Sequence, residues 1–366
     1  MLLLNNNDVA AVLDVPAAVE VLERSYHELI SGEGVCRPRI DVRLPTGNAE
    51  GVYQWGSMEG GSALTGYFAV RVKSDVLVER EYAGTRTQEK YCSRPGLFCG
   101  LVLLFSVRNG EPLAMLNDGV LQHVRVAADS AIGTRLAARP DAEVVGMLGS
   151  GGMARSHLDA LLGVRPVKRL QVYSPTRANR ERYAAEMADR HDIEAVAVDD
   201  ADAVYRGADI VCACTDAAAD VVRGAHLAPG THVTAIGGRP DAQARGRFDV
   251  WLRLGTAPAP ASHPDWRPDD EYLVYRAVPE SPVWDAHHHD RKHHRPPKGP
   301  QLVYLEDVVR HGAAVRTTRE QITFSERGNI QGAQFHAVAG LVYERAVERG
   351  LGRTLPTEWF LQDIRD

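Results

Sequence analysis

The chain has 366 residues, 44% of them hydrophobic, which is enough to bury a sizeable core and to build two domains. A net charge of −6 and a pI near 6.2 argue against a nucleic-acid surface. No apolar stretch approaches the ~20 residues of a membrane span. Met1-Leu2-Leu3-Leu4 followed by Asn5-Asn6-Asn7-Asp8 lacks the basic region and cleavage site of a secretion signal, so a cytoplasmic protein is expected.

In chain order, Phe68-Ala69-Val70-Arg71-Val72-Lys73 alternates as a strand and places Arg71 and Lys73 on one face. The charged, tyrosine-containing segment Val76 to Cys99 follows. Gly100 to Ser106 and Pro112 to Leu116 flank the turn Arg108-Asn109-Gly110-Glu111 and read as a β-hairpin. A helix from Gly119 to about Arg139 carries Arg125 near its start. From residue 143 strand and helix patterns alternate: Val144–Leu148, a helix from Ala154, Arg169–Tyr173, a polar helix, Ala195–Val198, a short helix ending near Gly207, Asp209–Cys214 and Thr231–Gly238. Parallel strands need long crossovers, so this order predicts an α/β fold with a doubly wound, Rossmann-type parallel sheet. The preceding residues form a smaller α+β domain. The expected division is 1–122 with 325–366 in that domain and 123–324 in the Rossmann unit.

Between the first strand and its helix lies Gly149-Ser150-Gly151-Gly152-Met153-Ala154. In a G-x-G-x-x-A reading, Gly149 makes the tight turn, Gly151 lets backbone approach a pyrophosphate, and Ala154 allows close packing of helix on strand. The helix N-terminus adds unpaired N–H groups and partial positive charge. No carboxylate closes the second strand, where it would bind a ribose hydroxyl. Tyr173 is followed instead by Ser174, Pro175, Thr176 and Arg177, a set suited to a ribose phosphate. The expected cofactor is NADP(H) in preference to NAD(H), with Thr215 and Gly237 at the ends of later strands as further contacts. The alternative is that Ser174 caps the next helix and Arg177 is a solvated first-turn residue.

Residues 255–300 break the composition, with Ala257-Pro258-Ala259-Pro260 and five histidines between His287 and His294. Interleaved Lys and Arg repel a divalent ion and the flanking prolines favour an extended loop, so a solvated insertion without metal is expected. The five cysteines form an odd set with no C-x-x-C pair, which points to neither a disulfide framework nor a zinc site.

The hairpin G-L-V-L-L-F-S-V-R-N-G-E-P-L-A-M-L, the helix with Val124-Arg125-Val126-Ala127-Ala128, the run G-S-G-G-M-A-R-S-H and the late stretch Gln321 to Gln331 resemble the ornithine cyclodeaminase/mu-crystallin family. The resemblance covers roughly residues 30–255 and 300–350. It implies a homodimer formed through the first domain, a C-terminal helix returning to that domain, and a small-molecule amino-acid or imine substrate in the cleft, facing a nicotinamide. It also implies a carboxylate clamp of one lysine and two arginines, which fall on Lys73, Arg125 and Arg39. Convergent cations offset the cost of desolvating a carboxylate. Taken singly, each has a plainer reading as a surface charge. Met58 belongs to the expected substrate wall; Trp55 either packs in a core or touches substrate.

The chain departs from the family after Gly237-Gly238, where cyclodeaminases carry an aspartate. Arg239 stands there, and a guanidinium is no base at neutral pH. Asp241 substitutes only if the loop is offset, and Arg239 is a candidate for a second polar group of the substrate. Reduction of a carboxylate-bearing imine, or oxidation of the amino acid, is therefore favoured over an ornithine cyclodeaminase-like lyase using NAD catalytically. A non-catalytic NADPH-binding protein is the rival from another class.

Overall fold

The structure is a computed structural model and describes residues 1–46, 51–82, 85–256, 270–276, 289–293 and 299–364. The chain opens with β1 (Leu2–Leu4), α1 (Asn6–Val12), α2 (Val15–Ser31) and β2 (Gly34–Cys36). Asp14 starts α2 by accepting the Ala17 amide, and Gly32, at φ +85°, ends it in the left-handed conformation that a Cβ would penalise. Six strands follow: β3 (Arg39–Pro45), β4 (Gly51–Ser62), β5 (Tyr67–Tyr82), β6 (Thr85–Tyr91), β7 (Cys99–Ser106) and β8 (Pro112–Asn117). Then comes α3 (Gly119–Ala137), buried along nearly its whole length from Val124.

The second half runs β9 (Val144–Leu148), α4 (Gly152–Leu162), β10 (Arg169–Tyr173), α5 (Arg177–His191), β11 (Glu194–Ala197), β12 (Ile210–Ala213), β13 (His232–Ala235), α6 (Ala242–Arg247) and β14 (Val250–Arg253). It continues with β15 (Asp270–Arg276), β16 (His289–His293), β17 (Gln301–Tyr304), α7 (Leu305–His311), β18 (Thr323–Glu326), α8 (Gln331–Glu348) and β19 (Arg353–Thr354).

Among the described residues these strands form two sheets. The parallel one is ordered β11-β10-β9-β12-β13-β18-β14-β17, so chain order reverses between β9 and β12. The other is mostly antiparallel and ordered β16-β15-β3-β4-β5-β7-β8-β1-β19, with β2 on β4 and β6 on β5. The Rossmann-type α/β architecture with a second α+β unit is what the sequence pattern implied. The late strand β18 lies inside the parallel sheet, across the expected boundary at 324/325, while α8 packs on β4 and β5 of the first sheet.

Residues 255–300 differ from expectation. Where they are described they are not a solvated loop: β15 pairs in parallel with β3, with Leu273 opposite Ile40, and Leu273 and Val274 are buried. The apolar run around Leu273 drives this pairing, and the surrounding Pro and His composition hid it. The segment thus extends the first sheet. His287, His288 and His294 lie outside the described residues. No described helix is long and apolar enough to cross a membrane.

Small residues set the distance between layers. A Cβ at Gly60 would lie 2.6 Å from the Gly332 carbonyl carbon, and one at Gly332 would lie 1.9 Å from the Glu59 oxygen. Helix α8 therefore touches β4 backbone to backbone. Gly332→Ala should destabilise the fold by about 1–3 kcal/mol despite alanine's better helix propensity, because the backbone cannot yield. Urea unfolding of the two proteins checks this.

Candidate functional site

A strand alternates faces every residue, so the pairs Arg39/Asp41 on β3 and Lys73/Asp75 on β5 each place a cation beside its own carboxylate. Arg39 donates two hydrogen bonds to Asp41, at 2.8 and 2.6 Å, and Lys73 Nζ lies 3.2 Å from Asp75. Sheet register aligns Asp41 with Gly56 and Gly56 with Lys73. Gly56 is what lets the two pairs meet: a Cβ there would be 2.5 Å from Asp41 Oδ1 and 2.6 Å from Lys73 Cε. Lys73 is buried, and its pKa is drawn down to about 7, first by burial and next by the charge of Arg39, with Asp41 and Asp75 pulling the other way.

Arg71, two residues before Lys73 and on the same face, pairs with Asp118 at 2.6 Å. The carboxylate of Asp118 fills the space over Gly100, which is the register partner of Lys73. The guanidinium of Arg71 lies 5.5 Å from the Phe335 ring centroid and that of Arg125 lies 4.1 Å from it. Arg125 is fully buried, donating to Gln334 and, at 2.6 Å, to Gln122, while Gln334 also holds Tyr26 and Asp129. Burial, then the charges of Arg327 and Arg71, press its pKa down. The structure therefore brings Arg39 and Lys73 together and sets Arg125 a step away, across Arg71 and Phe335. Met58, buried, is the register partner of Arg71. Trp55 is the register partner of Val42 and Ser74, on the opposite face from Lys73.

The glycine turn lies at the point where the order of the parallel sheet reverses. Gly149 has φ +115° and no room for a Cβ, which would lie 2.1 Å from the Cys214 oxygen. A Cβ at Gly151 would meet nothing, so the backbone there faces open space, and α4 starts at Gly152 with no side-chain cap on its N–H groups. Ala154 is buried in the helix–strand contact, and His157 Nδ1 donates to the Met153 carbonyl oxygen at 2.6 Å. These features fit a pyrophosphate: an uncapped helix start, an open glycine, and small residues behind it. Ser150 donates to Ser174 at 2.9 Å. Thr176, not Ser174, is the N-cap of α5, without a side-chain cap bond. Arg177 is exposed and pairs with Glu181 at 2.6 Å. Thr215 and Gly237 touch, the Thr215 oxygen lying 1.9 Å from a Cβ at Gly237.

Helix α3 joins the two centres. His123 packs on the glycine turn, its Cε1 2.9 Å from a Cβ at Gly152, and Arg125 follows two residues later. Burial lowers the His123 pKa and Asp118 opposes that. Two of the expected site residues have other work. Asp241 caps α6, accepting from the Ala244 amide at 2.6 Å and the Gly224 amide at 3.2 Å, so its carboxylate is held by backbone rather than presented as a base. Arg239 is exposed and pairs with Asp220 at 3.3 Å. The residues that sequence reasoning missed are Asp41, Asp75, Asp118, His123, Gln334 and Phe335; the R-x-D and K-x-D spacings were the available signal for the first two.

Residues 80–247 match the ornithine cyclodeaminase/mu-crystallin family. The resemblance drawn from the motifs is borne out. Ketimine reductase mu-crystallin of Mus musculus is 30% identical over 177 residues, 48% of this chain and 48% of the mouse protein. Delta(1)-pyrroline-2-carboxylate reductase of Paracoccus denitrificans is 34% identical over 139 residues, 38% of this chain and 44% of its own. The chain thus spans about half the length of the curated relatives it matches. Among solved structures, Thermococcus litoralis Delta(1)-pyrroline-2-carboxylate reductase in complex with NADH and L-proline superposes with TM-score 0.72 at 21% identity, covering 97% of this chain and 100% of that one, a likeness of fold.

Asp41 and Asp75 both hold the Lys73 amine toward its charged form. Asp41→Asn should therefore lower the Lys73 pKa below its present value. An NMR titration of isotope-labelled lysine reads the shift, and an unchanged midpoint would show that the two groups are not coupled.

Proposed function

We propose that this protein is an NAD(P)H-dependent oxidoreductase that reduces a carboxylate-bearing imine, or oxidises the corresponding amino acid in reverse. The reading is carried by one juxtaposition: α3 packs His123 against the glycine turn and, two residues on, sets Arg125 beside the sheet face that holds Arg39, Arg71 and Lys73. A dinucleotide on the turn and a carboxylate on the cations would then share one cleft. The names of the matching reductases agree with it.

The dinucleotide would be held by Gly149 to Ala154, Ser174, Thr176, Arg177, Thr215 and Gly237, and when bound it supplies the hydride. We assign preference to NADPH because no carboxylate follows Tyr173, where it would repel a ribose phosphate. Arg39 and Arg125 orient the substrate carboxylate, Arg125 once the Gln122 and Gln334 amides yield it. Lys73, with a pKa of about 7, gives a proton to the nitrogen as the α-carbon gains the hydride, so imine, hydride and proton balance as amine. With Arg239 paired and Asp241 capping a helix, the cyclodeaminase alternative lacks its base.

We further propose a homodimer through the outer face of the first sheet, where Val70, Val72, Leu101, Leu103 and Phe105 are only half-buried. Light scattering should give twice the chain mass of 40.0 kDa.

Purified protein should consume NADPH with cyclic ketimine carboxylates or with 2-oxo acids plus amine, and no consumption across such a panel would defeat the reading. Lys73→Met should cut kcat by about 10²–10⁴-fold, the range for a positioned proton donor, with circular dichroism unchanged. Because the ammonium is the donor, kcat/KM for reduction should fall as pH rises through about 7. A profile flat from pH 6 to 9 would remove Lys73 from that role.

A further inference from the structure

The hairpin of β5 and β6 carries a feature that the imine-reductase reading leaves unused. Its strands run beyond the clamp, with Val76 opposite Tyr91 and Leu77 opposite Lys90. Lys73, Asp75 and Leu77 alternate onto one face, so Lys90 stands on that face as well. It is solvent-accessible, yet burial is the leading cause lowering its pKa, followed by the charge of Arg39, with Asp75, Asp41 and Arg71 also in electrostatic reach. Lys90 thus shares the side of the sheet that carries Lys73 and Asp75, in electrostatic reach of Arg39 and Asp41.

The hairpin is also anchored to the loop that follows β12. The Ala218 amide donates to the Arg86 carbonyl at 2.9 Å, and Thr87 bridges to Ala217, in the loop that begins at Thr215 after β12. Along β6, Lys90 therefore lies between this anchor at Arg86 and Thr87 and the stretch of the hairpin nearest Lys73 and Asp75. Each neighbouring sheet cation has its own carboxylate: Arg39 has Asp41, Arg71 has Asp118 and Lys73 has Asp75. Lys90 has no ion pair among the described residues. A cation on this face with no ion pair of its own is available to an incoming anion.

We propose that Lys90 recognises a second carboxylate of the substrate, away from the reacting carbon, so that the preferred substrate is a dicarboxylic imine or amino acid. The proposal rests on the reading of Arg39, Lys73 and Arg125 as the clamp for the first carboxylate. It makes Lys90 a specificity residue: the dianion gains a charge-assisted hydrogen bond, and a monoanion leaves the ammonium unpaired.

The test compares 2-oxoglutarate with 2-oxopentanoate, equal in carbon count, each with ammonia and NADPH, in wild type, Lys90→Gln and Lys90→Arg. Wild type should favour the dianion in kcat/KM by about ten- to a hundredfold, the worth of one charge-assisted hydrogen bond. Lys90→Gln should bring that ratio close to one, chiefly through the KM of the dianion, and Lys90→Arg should keep most of it. An unchanged ratio in Lys90→Gln overturns the proposal. So does a wild-type preference for the monoanion, which settles the matter even if the glutamine variant does not fold. If wild type turns over neither compound, the imine-reductase reading is judged separately, by NADPH consumption across the wider panel that includes cyclic ketimine carboxylates. The second carboxylate is then decided by thermal melting with NADP⁺ and either glutarate or pentanoate. Greater stabilisation by glutarate that is lost in Lys90→Gln supports the subsite, and equal stabilisation by the two acids rejects it.

Discussion

Like charges converge around Gly56, and the fold is arranged to tolerate them. Arg39, Arg71 and Lys73 share one face of a sheet, with Arg125 approaching from α3. Three aspartates placed by register or by i, i+2 spacing neutralise the sheet cations. Breaking a buried pair by removing one partner typically costs about 3–5 kcal/mol, so each aspartate is a structural requirement of the cation it serves. Among the described residues, Arg125 and Lys90 form no ion pair, and Arg327 adds a further positive charge near Arg125.

Steric economy sets the geometry of both centres. Gly56 admits Asp41 and Lys73 from opposite sides, Gly100 admits Asp118, and Gly149 admits the Cys214 carbonyl. In each case a missing side chain is filled by a neighbour that carries charge or by backbone. Helix α3 then fixes the spacing between sheets. Its small residues Ala127, Ala128 and Ala131 are fully buried, and a Cβ at Gly133 would lie 2.6 Å from Ser325 on β18. Distance between the glycine turn and the cation face is thus set by packing rather than by a flexible linker.

The parallel sheet was legible because each strand, turn and helix carries its own local signal, from the apolar run at Val144 to the glycines that follow it. Arg71 and Lys73 could be placed on one face by alternation alone. What escaped was non-local. Nothing in Leu273's surroundings says that its strand will pair with β3, more than 200 positions earlier. The Asp118 contact with Arg71 depends on how β7 and β8 return, and no short-range pattern encodes that. Asp241 looked like a displaced base because its role as a helix cap is visible only once α6 is seen to begin at Ala242.

The attachment of Arg86 and Thr87 to the loop at Ala217 and Ala218 bears on how ligands enter and leave. A span moored on both banks resists being pulled apart but permits rocking about the mooring line. Separation of the two sheets along the direction of the Ala218–Arg86 bond would have to rupture it, whereas a tilt about that bond would leave it whole. Any opening between the two sheets that preserves this bond must therefore be widest on the side away from the hairpin.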